Sequence, residues 1–277
     1  FGYDGSNLGM TNLVSSSGVV ASDVTAVGTA RRVPAACEYG GDKGIFGFGH
    51  GGSPVSLTNL VSNSGVVATD TAGVGTSRYT LAACEYGGDK GIFGFGKNGG
   101  FTSLTNLVSN SGVVASDTAG VGTARFGPGA CEYGGDKAIF AYGYNGSDVS
   151  MSNLVSNVGV VATDTTGVGT ARYELGACSY DGDKGICGYG VTGGGVLFSL
   201  TNLVSNSGVV ATDTTGVGTA RKGIAACEYG GDKGIFAYGD DGSVLSMSNL
   251  VSTSGVVATD TTGVGTDRDR LAACSFN

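Results

Sequence analysis

The chain has 277 residues, with 15 Lys and Arg against 23 Asp and Glu, a net charge of −8 and a pI near 4.5. So acidic a chain lacks the basic stripe that general binding to nucleic acid or to an anionic membrane surface needs. Glycine supplies 54 residues, and at roughly 1 kcal/mol per helix-interior glycine this composition excludes long helices.

The chain repeats itself. Cys37, Cys84, Cys131, Cys178, Cys227 and Cys274 each follow an alanine, at steps of 47, 47, 47, 49 and 47 residues. A period near 47 with strand-like content points to propeller blades rather than helical repeats. One unit divides into four short strands. Leu81 to Tyr86 forms the first, and Gly87-Gly88-Asp89-Lys90 turns the chain. Gly91 to Gly96 forms the second, followed by a variable loop. Leu104 to Ser109 forms the third, ended by Asn110-Ser111-Gly112, and Val113 to Thr118 forms the fourth. Gly120 to Arg125 then leads to the next unit. The expected fold is all-β: one six-bladed β-propeller over residues 1–277, with four antiparallel strands per blade.

The ends fit one shared blade. The last unit stops at Asn277, which aligns with Gly40, and Phe1-Gly2-Tyr3 aligns with Phe46-Gly47-Phe48. On that alignment only the residues matching Gly41 to Ile45 are missing, and the two termini stitch the closing blade. No signal-peptide pattern, initiating Met or apolar run of membrane length is present, and the start in mid-blade suggests a trimmed product. An extracellular or particle-associated setting without membrane insertion is expected. The seven cysteines, one per repeat plus Cys187, read as buried apolar thiols, since equivalent cysteines fall on separate blades.

The run from Arg78 through Leu81-Ala82-Ala83 and a glycine turn to Ile92-Phe93-Gly94-Phe95-Gly96 resembles kelch-type blades, six times over. The resemblance implies an Arg before the innermost strand, an aliphatic–aromatic pair in the second, and a binding platform. Some members of that family are copper oxidases. Copper needs histidine ligands, and this chain has His50 alone.

Comparing the six copies separates two faces. The Gly-Gly-Asp-Lys and Asn-Ser-Gly turns are nearly uniform. The loop after the second strand and the segment after each repeated Arg differ everywhere. Connections alternate ends in an up-and-down sheet, so both variable segments share one face, which is expected to recognise something. Asp240, Asp241, Asp267, Asp269 and Asp4 fall in adjacent sectors of that face, as an acidic pocket for sugar hydroxyls or for a hard cation such as Ca2+. Otherwise no cofactor is expected. Repeated pairs, Asp23 with Arg31, Asp70 with Arg78, Asp117 with Arg125, Asp164 with Arg172, Asp213 with Arg221 and Asp260 with Arg268, stand eight residues apart and read as structural charge pairing within or between blades.

One histidine excludes most Ser-His-Asp sets, and Tyr79, Phe101, Phe126, Tyr144, Tyr173 and Phe198 are few aromatics for a glycosidase face. The expectation is a non-enzymatic recognition module for a glycan or glycoprotein surface. Binding would occur either once on the variable face, or at six equivalent turns using residues such as Asp89, Lys90 and Asn110. The competing expectation is a structural or adhesive subunit of a larger assembly, such as a fibre or virion appendage. A glycoside hydrolase comes third.

Overall fold

The computed structural model describes residues Phe1 to Phe276, and among them no helix occurs. Five three-stranded antiparallel sheets follow one another along the chain. The first is Ala35–Tyr39, Lys43–Gly47 and Thr58–Val61. The second is Ala82–Tyr86, Lys90–Gly94 and Thr105–Val108. The third is Gly129–Tyr133, Lys137–Tyr144 and Asp148–Val155. The fourth is Gly176–Tyr180, Lys184–Gly188 and Thr201–Val204, and the fifth Ala225–Tyr229, Lys233–Asp240 and Val244–Val251. Two small hairpins, Gly2–Tyr3 with Asn7–Leu8 and Lys97–Asn98 with Gly100–Phe101, complete the ladders.

The register comes from the turn. Gly40 and Gly41 both take positive φ, 68° and 76°, which lets Tyr39 pair with Lys43 across a tight reversal. The sheets pack face to face through glycine. A Cβ on Gly47 would lie 2.6 Å from the Phe93 ring of the next sheet, and one on Gly91 would lie 2.5 Å from Cys37 Sγ. Each sheet thus lends a flat backbone patch to its neighbour's buried ring and thiol. Phe93 and Ile92 are wholly buried there.

The fourth strand of each unit is reduced to two contacts. In the first unit these are Thr58 with Thr71 and Val61 with Val67, and every complete sheet repeats the pattern. The physical reason is Asn59. Its buried side-chain amide donates to Ala68 O at 3.0 Å and to Asp70 Oδ1 at 2.9 Å, so the outer segment bends around that amide instead of running extended.

The alignment of the N-terminus shifts by two residues from the sequence expectation. Thr11 and Val14 bridge Val24 and Val20, as Thr58 and Val61 bridge Thr71 and Val67, so Phe1 corresponds to Phe48 rather than Phe46. Gly2 donates to Arg31 O as Gly49 donates to Arg78 O, which confirms the shift. The glycine-rich pattern Phe-Gly-Phe-Gly is nearly its own image after a two-residue slip, which misled the alignment. The absent equivalents therefore run from Gly41 to Gly47, and Ala272 to Phe276 pair with no strand among the described residues. The match of Asn277 to Gly40 lies outside those residues.

Neighbouring sheets are also stitched by hydrogen bonds whose series returns to its start. Thr29, Thr76, Thr123, Thr170 and Thr219 donate through backbone and hydroxyl to Asp70, Asp117, Asp164, Asp213 and Asp260, and Thr266 donates to Asp23 at 2.9 and 2.7 Å. The last link joins the two ends of the chain.

Candidate functional site

The segments that vary most between repeats meet as six antiparallel bridges: Tyr3 with Asp269, Arg32 with His50, Tyr79 with Lys97, Phe126 with Tyr144, Tyr173 with Val191, and Lys222 with Asp240. Each bridge joins a residue just after the repeated Arg to one in the loop after the second strand, so both variable segments do share a face. Beside the bridges a second cycle closes. Val33 N–H donates to Arg270 O, Thr80 to Val33, Gly127 to Thr80, Glu174 to Gly127, Gly223 to Glu174, and Arg270 to Gly223. Val33, Thr80, Glu174 and Arg270 hold φ of 49 to 54° to make these bonds, a strained setting for β-branched Val33 and Thr80.

The circlet is aromatic on one side. Phe126 lies 5.3 Å from Tyr173 and 5.5 Å from Tyr144, ring centroid to centroid, and Tyr144 lies 5.3 Å from Tyr173. Phe101 joins them at 5.7 Å from Phe126. Lys97 Nζ sits 4.5 Å from the centroid of the Phe126 ring and 5.3 Å from that of Tyr79. Four of the rings that look scattered in the sequence, Phe101, Phe126, Tyr144 and Tyr173, form one continuous patch.

The other side is charged. Asp269 is 2% exposed, its Oδ2 lies 3.5 Å from Arg270 Nε, and its Oδ1 has no partner among the described residues. Burial pushes its carboxyl up to about 6, against the pull of Arg270. Asp240 faces Lys222 at 3.9 Å and accepts from Gly242 N–H. Burial also raises the Glu174 carboxyl, opposed by Arg270, Lys222 and Lys97. Tyr3 lies under the Arg32 and Arg270 guanidinium groups at 4.9 and 5.7 Å.

Of the five carboxylates expected to form a pocket, Asp240 and Asp269 come together. The other three do not join them. Asp241 and Asp4 are exposed loop-tip residues accepting from Ser243 and Ser6 backbone N–H, and Asp267 turns outward to the Ser246 hydroxyl. Among the described residues no three His, Cys, Asp or Glu side chains gather closely enough to hold a metal ion. His50 Nδ1 accepts from Gly52 N–H at 3.3 Å and its ring packs edge-on against Tyr79, with no carboxylate among the described residues orienting it.

The uniform turns are occupied by each other. Asp89 accepts from Lys90 and from Asn110, and Asp42, Asp136 and Asp183 repeat the contact with Asn63, Asn157 and Asn206. The repeated Arg is wholly buried in five of six copies. Arg78 donates Nε to Phe95 O, Nη1 to Thr76 O and Nη2 to Asn106 Oδ1, and its guanidinium stacks 4.3 Å over Phe48 of the preceding sheet. Its carboxylate is Asp117 of the following unit at 3.7 Å, with the same choice at Arg31 and Asp70, Arg125 and Asp164, Arg221 and Asp260, and Arg268 and Asp23. Of the two arrangements the sequence allowed, within or between units, these pairs join neighbouring units.

Sequence reasoning missed a second constellation. Glu38, Glu85, Glu132 and Glu228 line a cavity of about 70 Å³ where the innermost strands of all units converge, with Ser179 and Ser275 in the remaining two. Burial, then mutual repulsion, lifts Glu38 to about 8 and Glu85 and Glu132 to about 7, and burial raises Glu228. The available signal was the alternation in Ala-Cys-Glu-Tyr, where Cys and Tyr turn into the sheets and Glu turns away. Set beside known proteins, the chain matches no family model and no curated protein.

Proposed function

We propose that the chain is a six-bladed β-propeller whose sixth blade is shared by both termini, and that it is a non-enzymatic recognition module binding a carbohydrate or glycoprotein through its variable face. The buried, half-satisfied carboxylate of Asp269, on the same face as an aromatic patch, supports this reading most. A sugar presents hydroxyl donors to an orphaned acceptor and an apolar C–H face to rings such as Phe126 and Tyr144. Because the six sectors differ, one ligand per chain is expected. The mutual occupation of Asp89, Lys90 and Asn110 disfavours six equivalent turn sites.

A glycan array followed by calorimetry tests the proposal. A bound glycan with stoichiometry near one is expected, without hydrolysis. Phe126→Ala and Asp269→Asn should each weaken it at least about tenfold, the cost of a lost stacking ring or leaving a hydroxyl unpaired. An array with no positive glycan would end this reading.

One observation favours the alternative of a structural subunit in an assembly. Val19, Val66, Val113, Val160, Val209 and Val256 are equivalent, and each is 63 to 65% exposed. A repeated apolar rim suits packing against sibling subunits. Recovering the chain at stoichiometric levels in an isolated particle would support it.

A further inference from the structure

Two partly exposed cations on the variable face stand without an acid. Among the described residues every Lys and Arg has a carboxylate partner except Arg32, Lys97 and Arg172. Arg172 is wholly buried and spends its guanidinium on Tyr189 O, Thr170 O and Asn202 Oδ1. Arg32 and Lys97 are half-buried and lie in adjacent sectors of one face. Their partners are rings. Arg32 lies 4.9 Å over Tyr3, and Lys97 lies 4.5 Å over Phe126 and 5.3 Å over Tyr79. A ring face attracts a cation but carries no net charge, so both charges stay uncompensated. In a chain of net charge −8 this arc is a local reversal of sign.

His50 stands between the two cations. Backbone hydrogen bonds of 3.2 and 2.9 Å join it to Arg32 and set the two side chains side by side. Its ring packs 5.1 Å from Tyr79, the residue bridged to Lys97. Its Nδ1 accepts from Gly52 N–H, so Nε2 carries the ring proton and donates to nothing among the described residues. A guanidinium, an imidazole N–H and an ammonium thus gather about Tyr79. Tyr3 ties this arc to the orphaned acceptor, since it bridges Asp269 and lies under Arg32. An occupant of this side needs a donor for Asp269 Oδ1 and an anion for Arg32 and Lys97. A sugar acid carries both on one ring and has a C–H face for Tyr79 and Phe126.

We propose that the ligand of the variable face is an acidic glycan, whose carboxylate or sulfate group is seated among Arg32, His50 and Lys97. The proposal rests on the reading of that face as a glycan-binding surface, and it adds the charge of the ligand. The planar fork of Arg32 suits two oxygens of either group, and Lys97 adds a point charge. An acidic peptide would meet the cations, but it offers the rings no apolar face that also carries hydroxyls.

The test is an array of matched trios on galactose, glucose and N-acetylglucosamine backbones, each printed as the neutral glycan, its uronic acid form and its sulfated form, with hexaglutamate peptide alongside. Acidic members should bind at least about tenfold more tightly than their neutral parents, and whether the uronic or the sulfated forms bind identifies the acid group. Calorimetry then uses the tightest acidic member. Arg32→Gln and Lys97→Gln should each weaken it about fivefold or more, with binding that falls as salt rises, and should leave Tm within about two degrees. Lys137→Gln makes the same charge change at a uniform turn and should leave affinity within about twofold. Neutral parents bound as tightly as their acidic forms would overturn this proposal and leave the glycan reading standing, whereas a blank array would end both. Acidic binding that survives Arg32→Gln and Lys97→Gln together would overturn the seat. Hexaglutamate bound more tightly than every glycan would overturn the choice of occupant and give the arc to an acidic peptide.

Discussion

Four glutamates sharing one small cavity make the protein's stability sensitive to pH in an unusual direction. Glu38, Glu85 and Glu132 keep their protons to about 7 or 8 in the folded chain, while the unfolded chain releases them near 4.5, the ordinary glutamate value. The folded state therefore binds more protons in that interval, and stability falls as pH rises from about 4.5 to about 8, then levels. Carboxylates such as Asp117 act oppositely. Its partial burial is outweighed by hydrogen bonds from Thr76 and Asn106, so its contribution is present above about 4 and lost as pH falls below it. Tm should thus peak near pH 5, and Glu38→Gln should flatten the decline toward pH 8 and raise Tm there. A Tm unchanged between pH 5 and 8 would mean that these side chains do not repel one another. At this scale the sequence was partly legible. Asp240 and Asp269 could be placed together because both fall in variable segments of neighbouring sectors. Asp267 could not be sorted from Asp269, since only the fold reveals that the chain directs one toward Ser246 and the other toward Tyr3. The glutamates were hidden because nothing in Ala-Cys-Glu-Tyr states that six such strands converge.

Within an element, the buried arginine is the hub. Arg78 ties the end of the central strand, the third strand's Asn106 and the preceding sheet's Phe48 to one guanidinium. Arg78→Met keeps bulk but strands Phe95 O and Asn106 Oδ1, and should cost about 3–5 kcal/mol, the range for breaking a buried charged network. Urea unfolding checks the figure, and a cost under about 1 kcal/mol would show that the network is not holding the sheets together. The sequence made the recurrence of Arg and Asp plain, and it left pairing within or between units open because spacing along the chain does not say which Asp lies nearest in space. The three inner strands were readable from turn glycines and alternation. The outermost segment was over-read as a strand, since Val-Val-Ala looks extended and the bending amide of Asn59 lies nine residues away from the Ala68 carbonyl it holds.

For the whole molecule, the decisive contact is the one between its ends. Thr266 to Asp23 is chemically the same link as Thr76 to Asp117, yet it joins segments that no peptide bond connects. Asp23→Ala should therefore loosen the closing sheet selectively, exposing residues 1–24 and 266–276 to proteolysis first, while Asp117→Ala should leave those segments protected. Equal protease sensitivity in the two variants would mean that the sheets do not depend on this join. The period of 47 revealed the repeat at once, and the two-residue slip at Phe1 arose because glycine–aromatic alternation is almost self-similar.

The six peptide groups from Val33 to Arg270 point head to tail around a circle. Dipoles arranged tangentially around a closed path cancel, so this backbone sets up no net field along the central axis, unlike the aligned amides at the start of a helix. Whether that end attracts anions or cations is thus left to its side chains, Asp269, Asp240 and Glu174 against Arg270, Lys222, Arg32 and Lys97 among them, and its polarity can be shifted by exchanging those side chains while the peptide circle stays as it is.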